Sequence, residues 1–166
     1  MVPTRITTRS AGNADYEFTR LKLEDLDDLT SLEKICFSHP WTRKQFCLGL
    51  KHGRFYVFGF RKAGRPIAYL AFSRKTDTME ILKLAVDPDY RRSGLGKRLL
   101  GLVLKIGSEM GIKQVRLELR RSNSTAFKLY THFNFTPSGV KRKYYPDTGE
   151  DALILFLDLN AMRGNR

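Results

Sequence analysis

Three strand-like segments follow one another without a helix between them: "FYVFGF" (55–60), "PIAYLAF" (66–72) and "MEILKLAV" (79–86). All are rich in aromatic or β-branched and other apolar residues. "RKAGR" makes a hairpin-like turn between the first two, and "DPDY" ends the third. A doubly wound sheet alternates strands with helices, so this run excludes one and predicts a mixed sheet.

The flanking segments complete that sheet. Residues 16–23 alternate weakly, as an edge strand does. "LEDLDDLTSLEKICF" spaces Leu26, Leu29, Leu32 and Ile35 as one helical stripe, with acids in its first turn. Pro40 interrupts the helix, Thr42 is placed to cap a second one, and Gly53 ends it. After residue 86 a helix of about 16 residues reaches Gly111, with Leu95, Leu99, Leu102, Val103 and Ile106 on one stripe. "QVRLELR" alternates strictly, Val115, Leu117 and Leu119 facing one way and Arg116, Glu118 and Arg120 the other. "SNSTAFKLYTHF" reads as a helix with Ala126 and Tyr130 one turn apart, and "GVKRKYY" and "DALILFLDL" as closing strands. The expectation is an α/β fold: a central mixed, mostly antiparallel sheet of about seven strands flanked by about four helices. Residues 1–15 read as a flexible leader, 16–160 as a single domain and 161–166 as a tail.

With 166 residues, 42% of them hydrophobic, the chain is long enough for one substantial core and too apolar for disorder. No apolar run approaches the roughly 18–20 residues needed to cross a bilayer, and the N-terminus lacks the apolar centre of a signal peptide. Cys36 and Cys47 fall in helical, partly apolar patterns without metal-ligand company, so they read as buried free thiols in a reducing cytoplasm. His39, His52 and His132 are scattered and earn no assignment. The formal net charge is +13, and residues 51–166 carry all of the excess. Such a surface favours an acidic ligand or a polyanion. Charge alone does not separate RNA, a ribosome surface and a phosphorylated cofactor.

Within "LAVDPDYRRSGLGKRLLG" (84–101), basic residues surround two glycines where a helix begins. A P-loop would need Gly at 91 and a hydroxyl at 98, where Arg91 and Arg98 stand. A dinucleotide fingerprint would need Gly at 99, where Leu99 stands. What remains is Arg91-x-x-Gly94-x-Gly96 between a strand and a helix. Glycines permit close backbone approach, and the unpaired N–H groups of a helix start attract anions. The same turn also serves as an ordinary strand-to-helix connection with solvated arginines. Glu118 reads alone as a solvated acid between two arginines, Ser122 or Asn123 as a helix cap, and Tyr130 as a core aromatic.

Taken in order, these motifs resemble the GNAT superfamily of N-acetyltransferases from about Phe18 to Leu159. "VDPDYRRSGLGKRLL" resembles the superfamily's acetyl-CoA signature. "LELRRSNSTAFKLYTHFNF", followed by "KRKYYPDTGEDALIL", is similar to the bacterial ribosomal-protein-alanine N-acetyltransferases, as is "HPWT" at 39–42. The resemblance implies a GNAT-like fold and acetyl-CoA as acetyl donor, without a metal. It implies main-chain pairing of the pantetheine arm with Leu84, Ala85 and Val86. The turn of Arg91, Arg92, Ser93, Gly94, Leu95, Gly96 and Lys97 would cradle the pyrophosphate, its amides from Arg92 to Lys97 pointing inward. Asn123 matches a cofactor-contacting position, Glu118 the general base and Tyr130 the general acid. Asn134 stands where the family has Gly before Phe135, and Asn tolerates the left-handed backbone needed there.

The expected acceptor is the α-amino group of a protein N-terminus, alanine foremost, with a ribosomal protein as partner. Trp41, Tyr144 and Tyr145 are the candidate acceptor-binding residues. Acetylation of a lysine or a small polyamine stays open. So does a non-catalytic RNA- or ribosome-binding module using Arg61, Lys62, Arg74, Lys75 and the 141–143 cluster. A monomer without membrane attachment or obligate nucleic acid is the simplest state.

Overall fold

A computed structural model describes residues 16–163, with side chains to 161. The expected leader, 1–15, and the end of the expected tail lie outside the described residues. Seven strands form one sheet in the order β1-β2-β3-β4-β5-β7-β6. They are β1 (Glu17–Leu21), β2 (Tyr56–Lys62), β3 (Arg65–Lys75), β4 (Thr78–Val86), β5 (Gln114–Arg120), β6 (Thr136–Tyr145) and β7 (Glu150–Asp158). Only β4 and β5 pair in parallel, joined by the crossover helix α3 (Leu95–Glu109); every other neighbouring pair is antiparallel. The element order matches the expectation from sequence. A short α5 (Leu159–Arg163) follows β7 and runs through the expected domain–tail boundary at 160.

The two faces of the sheet are covered differently. Under α3 and α4 (Ser124–His132) lies the larger core, including Leu99, Leu100, Val103, Met79, Val115, Leu117, Tyr130 and Phe135. Leu100 and Leu104 are buried as well, so α3 presents a wider apolar face than the five-residue stripe read from sequence. Under α1 (Leu26–Cys36) and α2 (Arg43–Lys51) lies a second core of Leu21, Leu29, Phe46, Val57, Tyr69 and Ala85. Thr42 caps α2 as expected, accepting from the Gln45 N–H in a capping box.

The α1 stripe needs correction at its end. Ile35 is 57% exposed, whereas Glu33 is fully buried. Nine residues beyond Leu26, a helix at 3.6 residues per turn has rotated by about 180° past a whole number of turns, so Ile35 faces away from Leu26. The two cysteines are free thiols, half-buried rather than buried.

The feature that shapes the site is a break in the sheet. β4 and β5 pair only from Thr78↔Gln114 to Ile81↔Leu117. Beyond that point β4 stays paired with β3 as far as Val86, and β5 with β7 as far as Arg120. The two strands therefore continue while no longer pairing with each other. A bulge sits at the branch point: Ile81 opposes Phe72, Lys83 opposes Ala71, and Leu82 has no partner in the register. An extra residue increases local twist and bends its strand, which turns the end of β4 away from β5.

Candidate active site

The gap between β4 and β5 brings the sequence-predicted residues together from three directions. Leu84, Ala85 and Val86 form its β4 wall, and Glu118 and Arg120 lie on its β5 wall. A strand whose edge is unpaired offers main-chain N–H and C=O groups to an extended ligand. Arg91 braces the end of the β4 wall, its Nε donating to the Val86 carbonyl at 3.1 Å. The Cys36 thiol approaches the same carbonyl at 3.5 Å.

The glycine turn opens α3 at the end of β4. A short 3-10 turn, Pro88–Tyr90, leads into Arg91 in extended conformation. Arg92 and Gly94 follow with φ of 60° and 80°. Gly94 is the N-cap, and no side chain caps α3. The first amides of a 15-residue helix thus lack a side-chain acceptor, next to a turn with two left-handed residues. Such an arrangement concentrates N–H groups on an anion. A Cβ on Gly96 would meet only Val86, Leu84 and Leu129 side chains at 3.6–3.9 Å, so internal packing does not demand glycine there. Its bare backbone fits close approach by a phosphate. The residues present therefore suit the donor's pantetheine and pyrophosphate.

Tyr130 and Glu118 lie on opposite faces of the sheet. Tyr130 belongs to the core under α3 and α4, is 6% exposed, and packs edge-on against Phe135 at 5.4 Å. Burial pushes its hydroxyl well above the ordinary tyrosine value, so it stays protonated. Glu118 points to the other face with Arg116 and Arg120, because Val115, Leu117 and Leu119 take the buried positions. Asn123 caps α4, its side-chain oxygen accepting from the Ala126 N–H at 3.1 Å. Asn134 has φ 64°, so the left-handed turn before Phe135 forms without glycine.

Glu118 does not stand free. Lys141 on β6 ion-pairs with its Oε1. Burial raises this carboxyl, but hydrogen bonding by Lys141, the influence of the Tyr144 hydroxyl and the charges of Lys141 and Arg116 outweigh it and hold Glu118 below the usual glutamate value. The Lys141 ammonium also sits 4.9 Å from the Tyr144 ring centroid. Tyr145 packs edge-on to Tyr144 at 5.2 Å and lies 4.0 Å under the Arg120 guanidinium, one nitrogen of which donates to both oxygens of Asp147 at 2.8 and 3.0 Å.

The loop 37–42 approaches this cluster at His39. Trp41 is half-buried, wedged between Phe55 at 5.1 Å and Phe46 at 5.3 Å. His39 Nδ1 lies 3.6 Å from Asp147 Oδ2, so the loop and the β6–β7 turn meet there. Sequence reasoning missed the group that holds the loop. Buried Glu33 accepts the Trp41 N–H at 2.8 Å and contacts both the Tyr69 hydroxyl and the Lys83 ammonium. The only signal in the sequence was an acid three residues before Cys36 on a helix already rich in acids.

The basic residues considered for RNA binding do not assemble. Arg61 and Lys62 pair with the start of β3, while Arg74 and Lys75 form its far end, about 30 Å away at strand rise. Arg61 is committed to Asp25, and Lys141 to Glu118. A separate surface cavity of about 480 Å³ lies at the other end of β4, around Asp77, Glu80 and Arg116, away from the glycine turn. Among the described residues no cluster of three or more His, Cys, Asp or Glu is arranged to hold a metal, and no helix is long and apolar enough to cross a membrane.

Comparison with known proteins bears on the family and the fold. The acetyltransferase (GNAT) family model matches residues 23–135. The Escherichia coli (strain K12) [ribosomal protein bS18]-alanine N-acetyltransferase is 32% identical over 142 residues, covering 84% of this chain and 95% of that protein. A crystal structure of the ribosomal-protein-S18-alanine N-acetyltransferase from Escherichia coli superimposes with a TM-score of 0.81 at 30% identity, covering 87% and 94% of the two chains. The PaiA N-acetyltransferase from Thermoplasma acidophilum, solved in complex with coenzyme A, shares the fold with a TM-score of 0.74 at 19% identity, covering 86% and 98%.

Proposed function

The chain belongs to the GNAT acetyltransferase family and is an acetyl-CoA-dependent N-acetyltransferase, and we propose that its acceptor is the α-amino group of a protein N-terminus, with alanine first. The observation that carries this reading is the β4–β5 gap, with Glu118 on one face of the sheet and Tyr130 on the other. Acetyl-CoA supplies an acyl group activated as a thioester. Leu84, Ala85 and Val86 hold its arm along the gap, and the turn from Arg91 to Lys97 holds its pyrophosphate, with Asn123 at the start of α4 beside it.

The acceptor amine enters from the Glu118 face, between Trp41 and the tyrosine pair Tyr144 and Tyr145. Glu118, directly or through water, takes the proton that the amine loses. On the other face, the Tyr130 hydroxyl donates its proton to the departing thiolate. A free thiol titrates near 8.5, so a tyrosine held protonated serves as donor across the neutral range.

A weakly basic carboxylate suits an amine that already arrives partly neutral. An α-amino group, at about 7.7–8.0, is roughly a tenth neutral at pH 7, whereas a lysine near 10.4 is under ~0.1% neutral. Removing the proton from lysine costs ~3.3–3.7 kcal/mol more. The contact between His39 and Asp147 bridges the two sides of the proposed acceptor entrance, which favours an extended chain end with a small first residue. The similarity to enzymes named for the alanine of ribosomal protein bS18 supports a ribosomal protein as acceptor, and with it action in the cytoplasm.

The test compares three acceptors: a peptide with a free Ala N-terminus, a blocked peptide with one internal Lys, and spermidine. The free Ala peptide is expected to turn over fastest. Faster turnover of either of the others overturns the N-terminal assignment and leaves the acetyltransferase assignment intact.

A further inference from the structure

Lys141 places a positive charge where an acceptor's own charge would have to go. Its ammonium is paired with Glu118 and lies over the Tyr144 ring, on the face of the sheet proposed for the acceptor. The partners are unequally wetted: the Lys141 side chain is 44% exposed and that of Glu118 18%. The backbone of Lys141 is held by β7 opposite Ala152, so its side chain is not what keeps β6 in place. Arg116 and Arg120, the two cations that flank Glu118 on this face of β5, are engaged by Glu80 at 3.2 Å and by Asp147 at 2.8 Å.

We propose that Lys141 is a specificity-determining residue, which neutralises Glu118 and so turns the site against amines that arrive as ammonium ions. This rests on the reading of Glu118 as the group that receives the amine's proton.

An unpaired, part-buried carboxylate is a strong attractor of any ammonium, because charge-assisted hydrogen bonds are the strongest available there. It would gather lysine side chains and polyamines, nearly all of them protonated at pH 7. With Lys141 in place the attraction is already satisfied within the protein. A charged acceptor must displace Lys141 or sit beside it against like-charge repulsion. A neutral α-amine pays neither cost, since it needs only a hydrogen bond to the carboxylate. Selection is thus made through a repulsive element as well as an attractive one.

The experiment measures kcat/KM for the free Ala peptide, the blocked Lys peptide and spermidine with the wild type, Lys141→Met, Lys141→Gln and Lys141→Arg. Met keeps the length of the stem and removes the charge, Gln provides a polar neutral check, and Arg restores the cation. The preference for the Ala peptide over the two cationic acceptors is expected to fall by about tenfold in the Met and Gln variants, the scale of one partly screened charge contact. It should change mainly through KM, and return towards the wild-type value with Arg. An unchanged preference, or an equal loss for all three acceptors, overturns the proposal, as does an Arg variant that behaves like Met. A wild type that favours the blocked Lys peptide overturns the N-terminal reading instead, and the change of preference between wild type and Lys141→Met still judges Lys141.

Discussion

The buried carboxylate of Glu33 accepts the backbone N–H of Trp41 at 2.8 Å and thereby ties the loop 37–42 to the inside of the second core. The same carboxylate meets Lys83 on β4 and the Tyr69 hydroxyl on β3. Burial, and then the Glu33 charge, push the Tyr69 hydroxyl far up, so it remains a donor. Lys83 in turn lies 4.0 Å from the Phe37 ring centroid and 5.3 Å from that of Trp41. One carboxylate therefore couples α1, β3, β4 and the loop.

Removing Glu33 should cost both stability and acceptor binding. Glu33→Ala leaves Lys83 without its buried partner, a change that typically costs about 3–5 kcal/mol, read as a fall in Tm. Glu33→Gln keeps the shape and loses the charge. It should raise KM for the peptide acceptor more than KM for acetyl-CoA, because the loop that it holds carries Trp41, a proposed acceptor-binding residue. Steady-state kinetics with each substrate varied in turn check the split.

Gly96→Asp should abolish the thermal shift that acetyl-CoA produces while leaving the free protein folded. The site has room for a Cβ, and an acid in the first turn of α3 suits the helix dipole. The same carboxylate would repel the pyrophosphate that the 91–97 turn is proposed to hold. A ligand at 100 times its Kd stabilises the native state by about 2.7 kcal/mol, so the loss is easily read by differential scanning fluorimetry. Gly94→Asp is expected to lose the shift too, but with added strain from its φ of 80°.

Tyr130→Phe keeps the ring against Phe135 and removes only the hydroxyl. Loss of a general acid costs ~10²–10⁴-fold, so kcat should drop on that scale with little change in acetyl-CoA affinity. Single-turnover kinetics alongside a binding isotherm separate the two quantities. Near-normal kcat would reject the role of Tyr130 as proton donor.

The pH profile of kcat/KM should show one rising limb between pH 6 and 9. Glu118 is held below the usual glutamate value, so it is already ionised throughout this range. Tyr130 is held above the usual tyrosine value, so it stays protonated throughout. The remaining titration is that of the acceptor, whose neutral fraction grows as pH rises through about 7.7–8.0. Glu118→Gln should lose most at the acid end, where neutral amine is scarcest. A falling limb below pH 9 would contradict the assignment of Tyr130.

Much of the site could be read locally. The turn at 91–97, the cap at Asn123 and the alternation that turns Glu118 away from Leu117 and Leu119 each depend on neighbours within a few residues. Backbone preference and side-chain period decide such features, and both are written in short stretches of sequence. Asn134 is another example: its left-handed φ is one that few side chains other than glycine and asparagine accept.

Other features belong to no short stretch. Lys141 reaches Glu118 across 23 positions, and Lys83 reaches Glu33 across 50. In the sequence, Glu118 reads as a solvated acid between two arginines, Lys141 as part of a basic cluster, and Glu33 as one acid among several. The α1 stripe was drawn through Ile35 because apolar identity was the only guide to burial. In the folded chain Glu33 supplies what three donors from α1's surroundings need, and its burial follows from them.

Element order, the glycine turn at 91–97 and the facing of single strands thus follow from the chain's local chemistry alone. Where the sheet parts after Ile81↔Leu117, which carboxylate is sealed in the core and which cation rests on Glu118 were decided only when distant segments packed. The physical reason is that a buried or neutralised charge is stable only beside its partners. Strand pairing, the bulge at Leu82 and the packing of α1 on β3 and β4 are what bring those partners within reach.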